Sequence, residues 1–209
     1  MGWWYQGCRA LARIIACGAW RIRTYGRENV PRAGGVLLAS NHQSYLDPVL
    51  IAAAADREVH FMARSSLFRV PALGPLISSL RAFSIERGKA DMRGVREAVE
   101  RLRDGHVVLV FPEGTRTRNG RVAPMKAGIR ILCERSDAPI VPVLLEGAYR
   151  AWPKGRPVPV PWPINVVFGR PFRLEPASAG DAGERVRREV IDLKIVTRRR
   201  VETEESDGE

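Results

Sequence analysis

Cysteine is scarce in this 209-residue chain: Cys8, Cys17 and Cys133 are too few and too scattered for a disulfide framework, and no CxxC pair offers a zinc site. That usage fits a reducing compartment. Histidine is limited to three residues; His60 and His106 read as structural or surface groups, no metal-ligand set assembles, and no metal is expected. Long apolar runs are also missing, since no segment approaches the ~18 to 20 apolar residues needed to cross a bilayer. No basic stretch precedes the apolar N-terminal part, Arg9 and Arg13 interrupt it, and no small-residue cleavage site follows, which argues against a secretory signal. Acids are the last shortage: 23 Asp+Glu face 34 Lys+Arg, a formal net charge of +11. An anionic partner is therefore expected, and charge alone leaves nucleic acid, an anionic membrane surface and a phosphorylated substrate open.

What is present is 45% hydrophobic and 27% charged, enough apolar material for a substantial core in one domain. Residues 3 to 20 predict an amphipathic helix, with Trp4, Cys8, Leu11 and Ile15 at helical spacing and Gln6, Arg9 and Arg13 on another face. Two uses of that helix compete: docking on the domain's own core, or lying in a lipid headgroup layer with Trp3, Trp4, Tyr5 and Trp20 at the interface. Beyond it, short apolar runs at Val36–Ala39, Val59–Met62, Ala82–Ile85, Val107–Phe111, Ile140–Leu144 and Ile164–Phe168 predict strands. Helical patterns fall at about 48–55, 90–103, 125–134 and 183–196. The alternation predicts a single α/β domain with a mixed, largely parallel sheet flanked by helices. The expected division is an interfacial helix over 1–24, the domain over 25–196, and a charged, disordered tail over 197–209. Pro153 to Pro163, with five prolines, reads as an extended surface connection.

The stretch "SNHQSYLDP", residues 40 to 48, puts His42 just past a buried-looking strand and Asp47 five positions later. An imidazole there could accept a proton at neutral pH, with a carboxylate fixing its far nitrogen. The plainer reading is a loop histidine followed by Asp47 as helix N-cap and Pro48 at the first helical position. A third arrangement has Asp47 do both. "VVLVFPEGTRTRNG", residues 107 to 120, runs a strand into Glu113, Gly114, Thr115 and Arg116; an anion site with the Arg fork on phosphate competes with a solvated turn of exposed ion pairs. "FSIERGKAD" ends another strand in Arg87 and Lys89, and "APMKAGIRIL" sets Lys126 and Gly128 at a predicted helix start, where the backbone dipole favours an anion. Together these strand ends look like one face lined to hold phosphate. Residues 65 to 80, apolar but broken by Pro71, Gly74 and Pro75, read either as a packed loop or as an acyl-chain groove or membrane-facing lip. Ser44 lacks a nucleophile elbow, so direct attack by a substrate hydroxyl is the simpler chemistry.

The order N-H-Q-S-Y-L-D-P, F-S-I-E-R, F-P-E-G-T-R-T and A-P-I-V-P-V, spanning residues 41 to 144, resembles the four motif blocks of the 1-acylglycerol-3-phosphate acyltransferase family. The resemblance implies that His42 is the general base and Asp47 orients it. It carries acceptor-phosphate binding onto Arg87, Glu113, Gly114, Thr115 and Arg116, with Lys126 a further candidate, and leaves Pro139 and Pro142 structural or acyl-facing. It implies a lysophospholipid acceptor, an acyl thioester of coenzyme A or acyl carrier protein as cosubstrate, no prosthetic cofactor, no nucleic acid, and peripheral attachment to an anionic membrane on its cytoplasmic side. One departure stands out: where the family's second block often has glycine, this chain has Arg81, either a cation beside the acceptor or a change of loop. Another lysolipid or a glycolipid is the alternative acceptor; a basic protein that only binds membranes or nucleic acid is the alternative without catalysis.

Overall fold

The computed structural model describes residues 2–86, 91–126, 128–174 and 182–206, with 195–206 described as backbone alone. In chain order the elements are α1 Trp3–Trp20, β1 Arg23–Tyr25, β2 Val36–Ser40, α2 Asp47–Ala54, β3 Val59–Arg64, α3 Ser65–Phe68, α4 Leu73–Ser79, β4 Ala82–Ile85, α5 Met92–Arg103, β5 Val107–Val110, α6 Ile129–Ser136, β6 Ile140–Glu146, α7 Ala148–Ala151, β7 Asn165–Phe168 and α8 Ala182–Ser206. The strands form one sheet in the order β1-β7-β6-β2-β5-β3-β4. Every neighbouring pair is parallel except β6 with β7. This is the expected mixed, largely parallel α/β sheet. Its central strands are apolar on both faces because helices cover both.

Side chains alternate along β2 as a pleat requires: Val36 and Leu38 pack with α2, while Leu37 and Ala39 pack with the layer of α5, α6 and α8. From β2 the chain crosses through α2 to β3 on one side; from β5 it crosses through α6 to β6 on the other. The carboxyl end of β2 therefore lies between strands whose connections diverge, the crevice where open α/β sheets hold ligands.

Several details depart from expectation. β1 is a three-residue edge strand too short and polar to stand out by pattern, ordered by pairing with β7. Residues 65–80 form two short helices, α3 and α4, with Leu67, Val70, Leu73 and Leu76 exposed, so they are not a packed loop. α8 continues as helix through Ser206, past position 196 where the last helical pattern ends; from 195 to 206 there is no Gly or Pro to stop a helix.

Of the two readings of Arg81, the structure supports the change of loop. The residue's φ is +71°, the left-handed conformation that glycine adopts without strain, and its Nε lies 3.4 Å from Glu58 Oε2. It precedes β4, at the amino end of the strands, whereas His42 and the 113–116 turn follow β2 and β5 at the carboxyl end. The arginine is a cation at the wrong edge to meet the acceptor. Arg81→Gly is expected to leave acceptor preference unchanged, and to shift stability by under about 1 kcal/mol, relief of backbone strain offsetting a half-exposed ion pair. Acceptor competition and urea melts check it.

His60 is buried on β3, stacked on His106 with ring centroids 4.3 Å apart, and its Nδ1 lies 2.6 Å from Arg101 Nη1. A guanidinium only donates, so Nδ1 accepts and the ring is neutral. Burial first, then His106 and the Arg101 and Arg81 charges, push its pKa down to about 3. Between about 6.5 and 3 the unfolded chain binds a proton that the folded chain refuses, so this group's contribution to stability falls as pH falls. His60→Asn, which keeps an acceptor for Arg101, is expected to lose on the order of 2 kcal/mol less than the parent between pH 7 and pH 5. Equilibrium unfolding at the two pH values measures it.

Candidate active site

β2 ends at Ser40, and the chain turns at once. Asn41 is held by two hydrogen bonds with the Leu145 backbone, Nδ2 to the carbonyl at 2.9 Å and Leu145 N–H to Oδ1 at 2.8 Å, which locks the turn to β6. Gln43 extends the lock: its Nε2 donates to the Gly120 carbonyl at 3.1 Å, and its Oε1 accepts from Tyr149 N–H at 3.1 Å. Both residues are buried polar groups with their hydrogen bonds made, as burial demands.

This turn folds Asp47 back on His42. Asp47 Oδ2 lies 2.7 Å from His42 Nδ1 and accepts the backbone N–H of Gln43 at 2.6 Å and of Ser44 at 2.8 Å. An oxygen that already takes two N–H donors faces the ring as an acceptor. Nδ1 therefore carries the hydrogen, and the basic lone pair is on Nε2. Asp47 is 0% exposed and His42 7% exposed, and the ring stacks on Phe111 with centroids 4.0 Å apart. Among the described residues Nε2 has no hydrogen-bond partner. The expected pair is thus assembled. The expected cap is not: Leu46 occupies the cap position of α2, no side chain caps it, and the Asp47 carboxylate reaches backward to the turn. Pro48 does sit in the first helical turn.

The turn after β5 is tied to the same residue. Thr117 N–H donates to the His42 carbonyl at 2.8 Å, and His42 N–H donates to Glu113 Oε1 at 3.1 Å. Glu113 is buried behind His42, and burial raises its pKa to about 7 against the opposing pull of the His42 N–H. The structure places it as a support of the histidine backbone, apart from the exposed Thr115. Gly114 has φ +70°, and a Cβ there would lie 2.9 Å from Lys126 Nζ, so the missing side chain lets the ammonium sit over the turn. Lys126 is not at a helix start, because α6 begins at Ile129; its N–H donates to the Pro112 carbonyl at 3.0 Å, which brings it to the turn instead. Arg116 sits over Tyr45, its Cζ 3.4 Å from the ring centroid, and its Nη1 is buried without a partner. Arg87 lies outside the described residues.

Gly114, Thr115, Arg116 and Lys126 are therefore gathered beside the His42–Asp47 pair. Sequence reasoning passed over Tyr45, Phe111 and Gln43. Tyr45 had one available signal, its place inside the five-residue span between His42 and Asp47. Nothing local marks Phe111 as the plate beneath the imidazole. No cluster of three or more metal-binding side chains occurs among the described residues. The arrangement can accept a proton at Nε2 from a hydroxyl held by an anionic group on Arg116 and Lys126.

Residues 21–146 match the acyltransferase family profile. The 1-acyl-sn-glycerol-3-phosphate acyltransferase of Bacillus subtilis is 26% identical over 144 residues, 68% of this chain and 71% of that protein. That of Limnanthes douglasii is 34% identical over 146 residues, 66% of this chain and 51% of that protein, so the match spans about half of the plant relative. Among solved structures, the 1-acyl-sn-glycerophosphate (LPA) acyltransferase PlsC of Thermotoga maritima superposes with a TM-score of 0.76 at 27% identity, covering 91% of this chain and 79% of that one.

Proposed function

Because this chain belongs to the acyltransferase family, we propose that it moves a fatty acyl group from a thioester of coenzyme A or acyl carrier protein to the free hydroxyl of 1-acylglycerol 3-phosphate, giving phosphatidic acid. The observation that carries this reading is the pairing of a free His42 Nε2, whose far side is fixed by Asp47, with an unpartnered Arg116 Nη1 one turn away. As the acceptor oxygen attacks the thioester carbonyl, Nε2 takes the hydroxyl proton and the Asp47 carboxylate stabilises the imidazolium. The tetrahedral intermediate then collapses, the C–S bond breaks, and the thiolate recovers that proton from His42. The Arg116 fork and the Lys126 ammonium hold the acceptor phosphate, and Arg87 joins them by resemblance. No prosthetic group takes part in these steps.

Tyr45 supports the Arg116 fork through a cation–π contact. Tyr45→Leu is expected to raise KM for the phosphorylated acceptor roughly five- to tenfold, the value of one partly desolvated cation–π contact, while kcat and the use of a phosphate-free acceptor stay nearly unchanged. Steady-state kinetics on both acceptors check it.

The protein works, in this reading, on a membrane surface. α1 docks through Tyr5, Ala16 and its arginines: Tyr5 Oη accepts Val59 N–H at 2.9 Å, and Arg13 donates to the Ala53 carbonyl at 2.7 Å. Its outward face carries Trp3 at 84% and Ile14 at 70% exposure, and the exposed positions from 10 to 18 hold no charge. A helix with its cations turned inward and its apolar side outward suits a lipid surface on the far side. No described helix is long and apolar enough to span a bilayer. Peripheral attachment on the cytoplasmic side also suits three free cysteines. With Arg81 turned away, no described residue of the site favours a phosphate-free acceptor. The test is acyl transfer by purified protein to lysolipids with and without the phosphate, from each thioester carrier; preference for the neutral acceptor would overturn the assignment.

A further inference from the structure

The connection that follows α7, residues 152–163, has no role in the site described above. Because β6 and β7 are antiparallel, with Glu146 opposite Asn165, both ends of this segment lie at the edge of the sheet that carries His42. It is firmly tied: Val160 N–H donates to the Ala151 carbonyl at 2.8 Å, Trp152 Nε1 to the Arg156 carbonyl at 2.8 Å, and Trp20 Nε1 to the Val160 carbonyl at 3.0 Å. Yet positions 154–159 and 161–163 are all exposed, Val158 at 62% and Trp162 at 39%, the latter beneath Arg150 at 4.7 Å.

A held loop that leaves a tryptophan and a valine in water calls for a partner. Its chemistry narrows the choice. Arg150, Lys154 and Arg156 are basic, and no acid occurs from 147 to 163. Prolines at 157, 159, 161 and 163 have no N–H for an incoming strand, which disfavours β-pairing with a protein. Tryptophan interleaved with basic residues is the composition that settles at an anionic headgroup layer. The Trp20 bond joins the loop to the end of α1, and Tyr45, 5.3 Å from Trp152, joins it to the His42 turn.

We propose that residues 152–163 are a second lipid-contacting element, seated in the headgroup layer of an anionic bilayer, which together with α1 sets the catalytic edge against the membrane. The proposal rests on the peripheral-membrane reading above.

The experiment places an environment-sensitive fluorophore on Val158→Cys in a Cys8→Ser, Cys17→Ser background, with vesicles of phosphatidylcholine alone or mixed with phosphatidylglycerol. The expected result is co-sedimentation with the mixed vesicles, a blue shift of the label, and quenching by spin-labelled lipid. Lys154→Gln with Arg156→Gln should weaken partition into the mixed vesicles roughly thirtyfold, at about 1 kcal/mol per cation. Protein that co-sediments while the label stays in water would overturn the loop's role and leave attachment through α1 intact. Protein that does not co-sediment would overturn the membrane reading and this proposal together. A label response to acyl carrier protein, and none to vesicles, would assign the loop to the donor.

Discussion

Replacing His42 with alanine is expected to lower kcat by roughly two to four orders of magnitude, the usual worth of a positioned general base. The loss should be confined to the chemistry. His42 holds its surroundings through its backbone, where its N–H meets Glu113 and its carbonyl meets Thr117, and alanine keeps both bonds. What disappears is the ring between Asp47 and Phe111, and with it the Nε2 lone pair. KM for the acceptor should change little, because the phosphate contacts are elsewhere. Purified variant with unchanged circular dichroism and turnover within tenfold of the parent would remove His42 from the mechanism.

Arg116→Ala is expected to cut kcat/KM for the phosphorylated acceptor by roughly ten- to a hundredfold, the range of a lost hydrogen bond to a charged group. The effect should sit in KM if the contact is equal in ground and transition states. Arg116→Lys should recover only part, since an ammonium cannot offer the planar fork that lies on Tyr45. A phosphate-free lysolipid, used poorly by the parent, should be used equally poorly by the variant. An Arg116→Ala effect of the same size on both acceptors would separate this residue from phosphate recognition.

The sheet was legible because its strands are apolar on both faces: Val36–Ser40, Val107–Val110 and Ile140–Glu146 announce themselves by composition. β1 was not, since Arg23–Tyr25 gains its order only from Asn165–Phe168, far along the chain. The site divides in the same way. The His42–Asp47 spacing is local, and the turn that closes it is built from the Gln43 and Ser44 amides between them. The place of Glu113 behind His42, and of Lys126 over Gly114, depends on contacts between distant segments that no residue pattern encodes. Arg81 was visible as a departure, but only its backbone angle and its Glu58 partner locate it at the opposite edge of the sheet. The outward apolar face of α1 was legible as a stripe; that the arginine face would dock inward was not, because it depends on the carbonyls at the end of α2 that those arginines satisfy.

The most direct test follows thiol release and phosphatidic acid formation together, with purified protein, an acyl thioester, and 1-acylglycerol 3-phosphate either present or withheld. Direct attack by the acceptor hydroxyl predicts one thiol released per phosphatidic acid formed, almost no release without acceptor, and loss of both in His42→Ala. Rapid thiol release without acceptor, leaving an acylated protein, would contradict it, as would the absence of phosphatidic acid when both substrates are present.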